Sequence, residues 1–70
     1  MKLENFHEIV GTLSKVESNG QHMKVEFMIR KVYEIPLDAI SIEKLESAIG
    51  NRVGIFNCDG NYRIRKANRK

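Results

Sequence analysis

The sequence predicts a small, mainly β domain of five strands, with one short helix between the third and the fourth. Three observations carry this reading. Apolar and polar residues alternate from Met23 to Leu37, the period of half-buried strands. Ile42, Leu45 and Ile49 recur at helical spacing behind Ser41. Asp59-Gly60, the strongest turn signal in the chain, divides the last apolar stretch into a hairpin.

The first strand begins near Phe6, after residues 1–5, which read as a frayed lead-in. Its pattern, FHEIVGTLSKVE, is loose, and Gly11 in its middle marks a bulge, a bend or the close approach of another backbone. Ser18-Asn19-Gly20 supplies a three-residue turn into the second strand. In that register Ile9 faces Ile29, Gly11 faces Phe27 and Leu13 faces Val25, so Gly11 makes room for the Phe27 ring. A two-residue Asn19-Gly20 turn would oppose Lys15 and Lys24, and like charges argue against it.

Met23, Val25, Phe27 and Ile29 form the inward series of the second strand. A three-residue loop at Arg30, Lys31 and Val32 then sets Ile29 against Tyr33, Phe27 against Ile35 and Val25 against Leu37. Ser41 suits the helix N-cap, Glu43 the first turn, and Gly50 the position past the C-terminus of a helix of roughly ten residues. Val53 to Lys66 form the last hairpin, pairing Ile55 with Ile64, Asn57 with Tyr62 and Phe56 with Arg63. Ala67 to Lys70 read as a flexible tail.

The chain of 70 residues makes a single domain, 1–70, that buries only about 60% of its unfolded surface. Cys58 is the lone cysteine, so no internal disulfide is available, and a lone thiol fits a reducing cytoplasm. Apolar runs fall far short of the roughly 20 residues of a membrane helix, and the N-terminus lacks the charged-then-apolar form of a signal peptide. The net charge is +3, unevenly placed: no acid follows Asp59, whereas Arg63, Arg65, Lys66, Arg69 and Lys70 do. A basic end of this kind points to a polyanionic partner or to a solubilising guard on an edge strand.

Strand, strand, strand, helix, strand, strand is the order of the OB-fold, a five-stranded Greek-key barrel, with an SH3-like small barrel as the main alternative. Short motifs fit the same picture: Ile9-Val10-Gly11-Thr12-Leu13, Met23-Lys24-Val25-Glu26-Phe27, Gly50-Asn51-Arg52-Val53 and Tyr62-Arg63-Ile64-Arg65. Through them the chain resembles the small S1-type OB domains. The resemblance implies binding of RNA or single-stranded nucleic acid on the face of the second and third strands. There the outward positions Lys24, Glu26, Met28 and Arg30 carry no aromatic ring, and Glu26 and Glu34 repel phosphate.

The residue types argue for binding rather than catalysis. Cys58 has no sequence-adjacent histidine, and one cysteine with His7 and His22 falls short of a structural zinc set, so neither metal nor cofactor is expected. A nucleic-acid-binding module would use Lys24, Arg30, Lys31, Arg63, Arg65 and Lys66 for phosphates, with Phe56, Tyr33 or Tyr62 stacking a base. The competing reading is a protein-interaction module or homodimer that uses an apolar patch of Val10, Met28 and Val32.

Overall fold

A computed structural model describes residues 2–67; Arg69, Lys70 and most of the expected tail lie outside the described residues. The strands are β1 (His7–Ser18), β2 (His22–Phe27), β3 (Lys31–Pro36), β4 (Arg52–Cys58) and β5 (Asn61–Lys66), with α1 (Ile42–Ser47) between β3 and β4. All strand pairings are antiparallel, in one sheet of order β3-β2-β1-β4-β5. The sheet is open, with β3 and β5 as its edges. No described helix is long and apolar enough to cross a membrane.

β1 is the shared strand. Its first half, His7 to Thr12, pairs with β4, and its second half, Leu13 to Ser18, pairs with β2. The register shifts between Leu13 and Lys15, leaving Ser14 as an extra residue whose Oγ donates to the Glu26 carbonyl at 3.0 Å. This bulge explains the loose alternation of the first strand. An extra residue reverses parity, so Leu13 and Val16, not Leu13 and Lys15, turn inward.

Both early hairpins keep the expected faces but not the expected registers. At the first, Ser18 faces Met23 and the tip is Gly20-Gln21, closed by Asn19 N–H to the His22 carbonyl at 3.0 Å and His22 N–H to Asn19 Oδ1 at 3.1 Å. Opposite charges decide the pairing: Glu17 lies across from Lys24 and Lys15 across from Glu26. The expected pairs of Ile9 with Ile29 and Leu13 with Val25 are therefore replaced. At the second hairpin the loop has the expected three residues, but they are Met28, Ile29 and Arg30. Arg30 adopts the left-handed region at φ 67° without being glycine, and its N–H donates to the Phe27 carbonyl at 2.8 Å.

Tyr33 consequently faces Val25, and its ring meets Phe27 edge-on at 6.3 Å. Moving the loop by two residues preserves the parity of the faces, so Met23, Val25, Phe27 and Ile35 all remain fully buried. The change falls on Ile29, which lies at the tip with 55% of its surface exposed instead of in the core.

Ser41 caps α1 as expected, accepting from the Lys44 N–H at 3.5 Å. The helix has six residues. Beyond Ser47 the chain runs on in tight turns, with Ala48 N–H bonded to the Leu45 carbonyl and Ile49 N–H to that of Glu46. Leu45 is fully buried, but these turns carry Ile49 out of helical register and leave it exposed; Ile42, at the start of α1, is exposed as well.

The last hairpin matches its reading residue by residue: Ile55 faces Ile64, Phe56 faces Arg63 and Asn57 faces Tyr62. Asp59 and Gly60 both take positive φ, 53° and 92°, the two-residue turn whose twist suits adjoining strands.

Residues 2–5 are not a frayed lead-in. Leu3 belongs to the core at 5% exposure, and Lys2 forms a parallel bridge to Glu34 of β3. Asn57, 3% exposed, ties this segment down: its Nδ2 donates to the Leu3 carbonyl at 2.8 Å and to Asn5 Oδ1 at 3.2 Å, while its Oδ1 accepts from the Gly60 N–H at 2.8 Å. The N-terminal segment thus links one sheet edge to β4.

Candidate functional site

On the β1-β2-β3 half, cross-strand rows run Glu17–Lys24–Glu34 and Lys15–Glu26–Val32. Lys15 also pairs with Glu17 at 3.2 Å. Each base is matched by acids within its own row or strand, so this face is largely neutralised and carries no aromatic ring. Lys24 is part of that arrangement. Arg30 sits in the β2–β3 loop, and Lys31 lies opposite Phe27 at the end of β3; both are exposed.

The β1-β4-β5 half is different. Ile55 and Asn57 face inward and are buried, which turns Phe56 to the opposite face, where its side is half-buried. The register sets Glu8, Phe56 and Arg63 in one row, and Val10, Gly54 and Arg65 in the next. Phe56 is flanked on one side by an acid and on the other by an exposed guanidinium. Around the free edge of β5 runs an open groove of about 730 Å³, whose lining includes Phe56, Arg63, Arg65, Ile40 and Lys44.

Arg65 is held in place. Its Nε donates to Glu8 Oε2 at 2.9 Å and its Nη2 to Glu8 Oε1 at 3.2 Å. The hydrogen bonding and charge of Glu8 raise the Arg65 pKa above its ordinary value. Gly54 makes this possible, because a Cβ there would stand 2.5 Å from Glu8 Oε2. Gly11 is also hemmed in, with Phe27 Cδ2 at 3.2 Å from the corresponding point. That contact confirms the room made for the Phe27 ring, although the Cα partner of Gly11 is Val53.

These glycines should respond differently to alanine. Gly54→Ala meets the mobile tip of a surface side chain, so stability should change by less than about 1 kcal/mol while the Glu8–Arg65 contact opens. Gly11→Ala meets a buried ring and should cost about 1–3 kcal/mol. Urea denaturation of both variants, with the Arg65 Nε–Hε resonance as reporter of the ion pair, separates the two effects.

Of the residues expected at a site, the fold gathers Phe56, Arg63 and Arg65 on one face. Tyr62 lies on the other face of β5, half-buried against the core, yet it lines the same groove around the β5 edge, and Lys66 is exposed near the end of that strand. Tyr33 is excluded as a stacking platform: only 9% exposed, its ring packs within the core against Phe27. In the alternative apolar patch, Met28 is 68% exposed while Val10 and Val32 are half-buried. Sequence reading missed Glu8, Gly54 and Lys44. The first two reach the site only through the β1–β4 pairing, and Lys44 only through the packing of α1, so no local pattern marks them. Comparison with protein-family models, curated proteins and solved structures finds no match.

Proposed function

We propose that this chain is a non-enzymatic, OB-type module that binds RNA or single-stranded DNA in the cytoplasm. The observation that supports it best is the row Glu8–Phe56–Arg63 with Arg65 beside it: an outward aromatic ring next to cations, at the lip of an open groove. A ring of this kind offers a sequence-tolerant stacking surface, and adjacent guanidiniums serve the flanking phosphates. The strand order with its single intervening helix agrees with an OB-type layout left open between β3 and β5. The reading places the strand of nucleic acid on β4 and β5 rather than on the charge-balanced face of β2 and β3.

The test is an NMR titration of labelled protein with a mixed-sequence RNA oligonucleotide at low and moderate salt. Salt-sensitive shifts should cluster at Phe56, Arg63, Arg65 and Lys44. Phe56→Ala should weaken binding by about five- to a hundredfold, since a stacked base contributes on the order of 1–3 kcal/mol. Spectra unmoved at low salt would refute the reading.

A second reading has one observation in its favour: Met28 and Ile29 stand exposed side by side at the β2–β3 tip. On that reading the tip is a protein contact, and sedimentation would detect self-association that Met28→Ser abolishes.

A further inference from the structure

The Glu8–Arg65 pair has the form in which a guanidinium holds any oxyanion: two parallel N–H···O bonds, at 2.9 and 3.2 Å. Its acceptor end lies over the bare backbone of Gly54, where any side chain would intrude on Glu8 Oε2. The pair is adjacent to the Phe56 row, since Glu8 is itself the cross-strand neighbour of Phe56. It is also open to solvent, with 59% of the Arg65 side chain and 28% of Glu8 exposed, so it adds little to stability. A contact that contributes so little and yet demands glycine at its floor is better explained by what it occupies than by what it holds together.

We infer that Arg65 and Gly54 form a seat for a phosphodiester group beside Phe56, and that Glu8 fills this seat with its own carboxylate when the protein is free. The inference rests on the nucleic-acid reading above. A strand stacking on Phe56 has Arg63 available at once, because Arg63 makes no ion pair among the described residues. It gains Arg65 only by displacing Glu8. The carboxylate therefore acts as an internal competitor that keeps affinity low and exchange fast, and it rejects ligands that have a ring to stack but no phosphate to exchange for it.

The test is fluorescence anisotropy with a labelled, mixed-sequence RNA of about 12 nucleotides, within the length an OB-type groove tracks. Glu8→Gln should bind about three- to tenfold more tightly at moderate salt, with the slope of log K against log salt steeper by about 0.7, one additional phosphate contact on a single strand. Adding Arg65→Gln to that variant should remove the gain. Glu17→Gln makes the same change of net charge on the other half of the sheet, releasing Lys15 instead, and should gain less. Unchanged or weaker binding by Glu8→Gln, an equal gain in Glu17→Gln, or a gain that survives Arg65→Gln would overturn the inference. Pyrophosphate is the independent probe, read at the Arg65 Nε–Hε resonance of Glu8→Gln. If that resonance moves while no RNA binds either protein, the nucleic-acid reading falls and the anion seat stands. If neither ligand has an effect, the seat falls too. Thermal unfolding of each variant, expected within a few degrees of the parent, confirms that the fold is intact.

Discussion

Phe27→Ala is expected to remove most of this protein's stability at room temperature. The ring is fully buried at the centre of the core, edge-on to Tyr33 and against Gly11, with Leu13 as its cross-strand neighbour. Truncating a buried phenylalanine costs about 3–5 kcal/mol, part of it for the cavity left behind. The neighbours cannot close that cavity, because Gly11 has no side chain to move into it and Tyr33 is tied to the β2–β3 ladder. A chain of 70 residues has a stability near the low end of the usual range, on the order of 5 kcal/mol, so the loss is comparable with the whole. Urea denaturation followed by far-ultraviolet circular dichroism gives the answer. A midpoint within a few tenths of a molar of the parent's would show that the core is not organised around this ring.

Asn57→Ala should be the next most damaging change, at about 2–4 kcal/mol, although it removes a polar side chain. The amide joins three parts of the chain: the Leu3 carbonyl, the Asn5 side chain and the Gly60 N–H of the β4–β5 turn. Its loss leaves buried or half-buried groups without partners, and each such group costs about 1–3 kcal/mol. The isosteric Asn57→Asp separates the two ends of the amide, since it keeps an acceptor for Gly60 and loses the donor to Leu3. Hydrogen exchange should therefore accelerate in residues 3–6 in both variants, but at Gly60 mainly in the alanine variant. Protection retained at residues 3–6 in both would mean that another contact anchors the N-terminal segment.

What the sequence made legible follows the range of the interactions. The β4–β5 hairpin could be read completely because Asp59-Gly60 determines the turn type, and the turn type determines the register. The inward faces of β2 and β3 were also readable, because alternation marks a face whatever the loop position. The loop itself was not, since Arg30 takes a left-handed conformation that glycine would have advertised. The Ser14 bulge was hidden for a related reason: β1 answers to β2 on one half and β4 on the other, and the extra residue reconciles two partners. At the candidate site Phe56 and Arg63 could be seen together because a local turn joins them. Glu8 could not, because 57 positions separate it from Arg65.

That separation has a consequence for the order in which the molecule assembles. The β4–β5 hairpin closes a short loop through a favourable turn, an event of microseconds, whereas joining β1 to β4 requires closure of most of the chain and belongs with the slow, late steps of folding. Phe56 and Arg63 therefore become neighbours early, while the chain is otherwise unstructured, and for that interval Arg65 has no carboxylate beside it. A transiently opened chain, with β1 parted from β4, presents Arg65 without Glu8 beside it. The completion of β1 against β4 ends that interval.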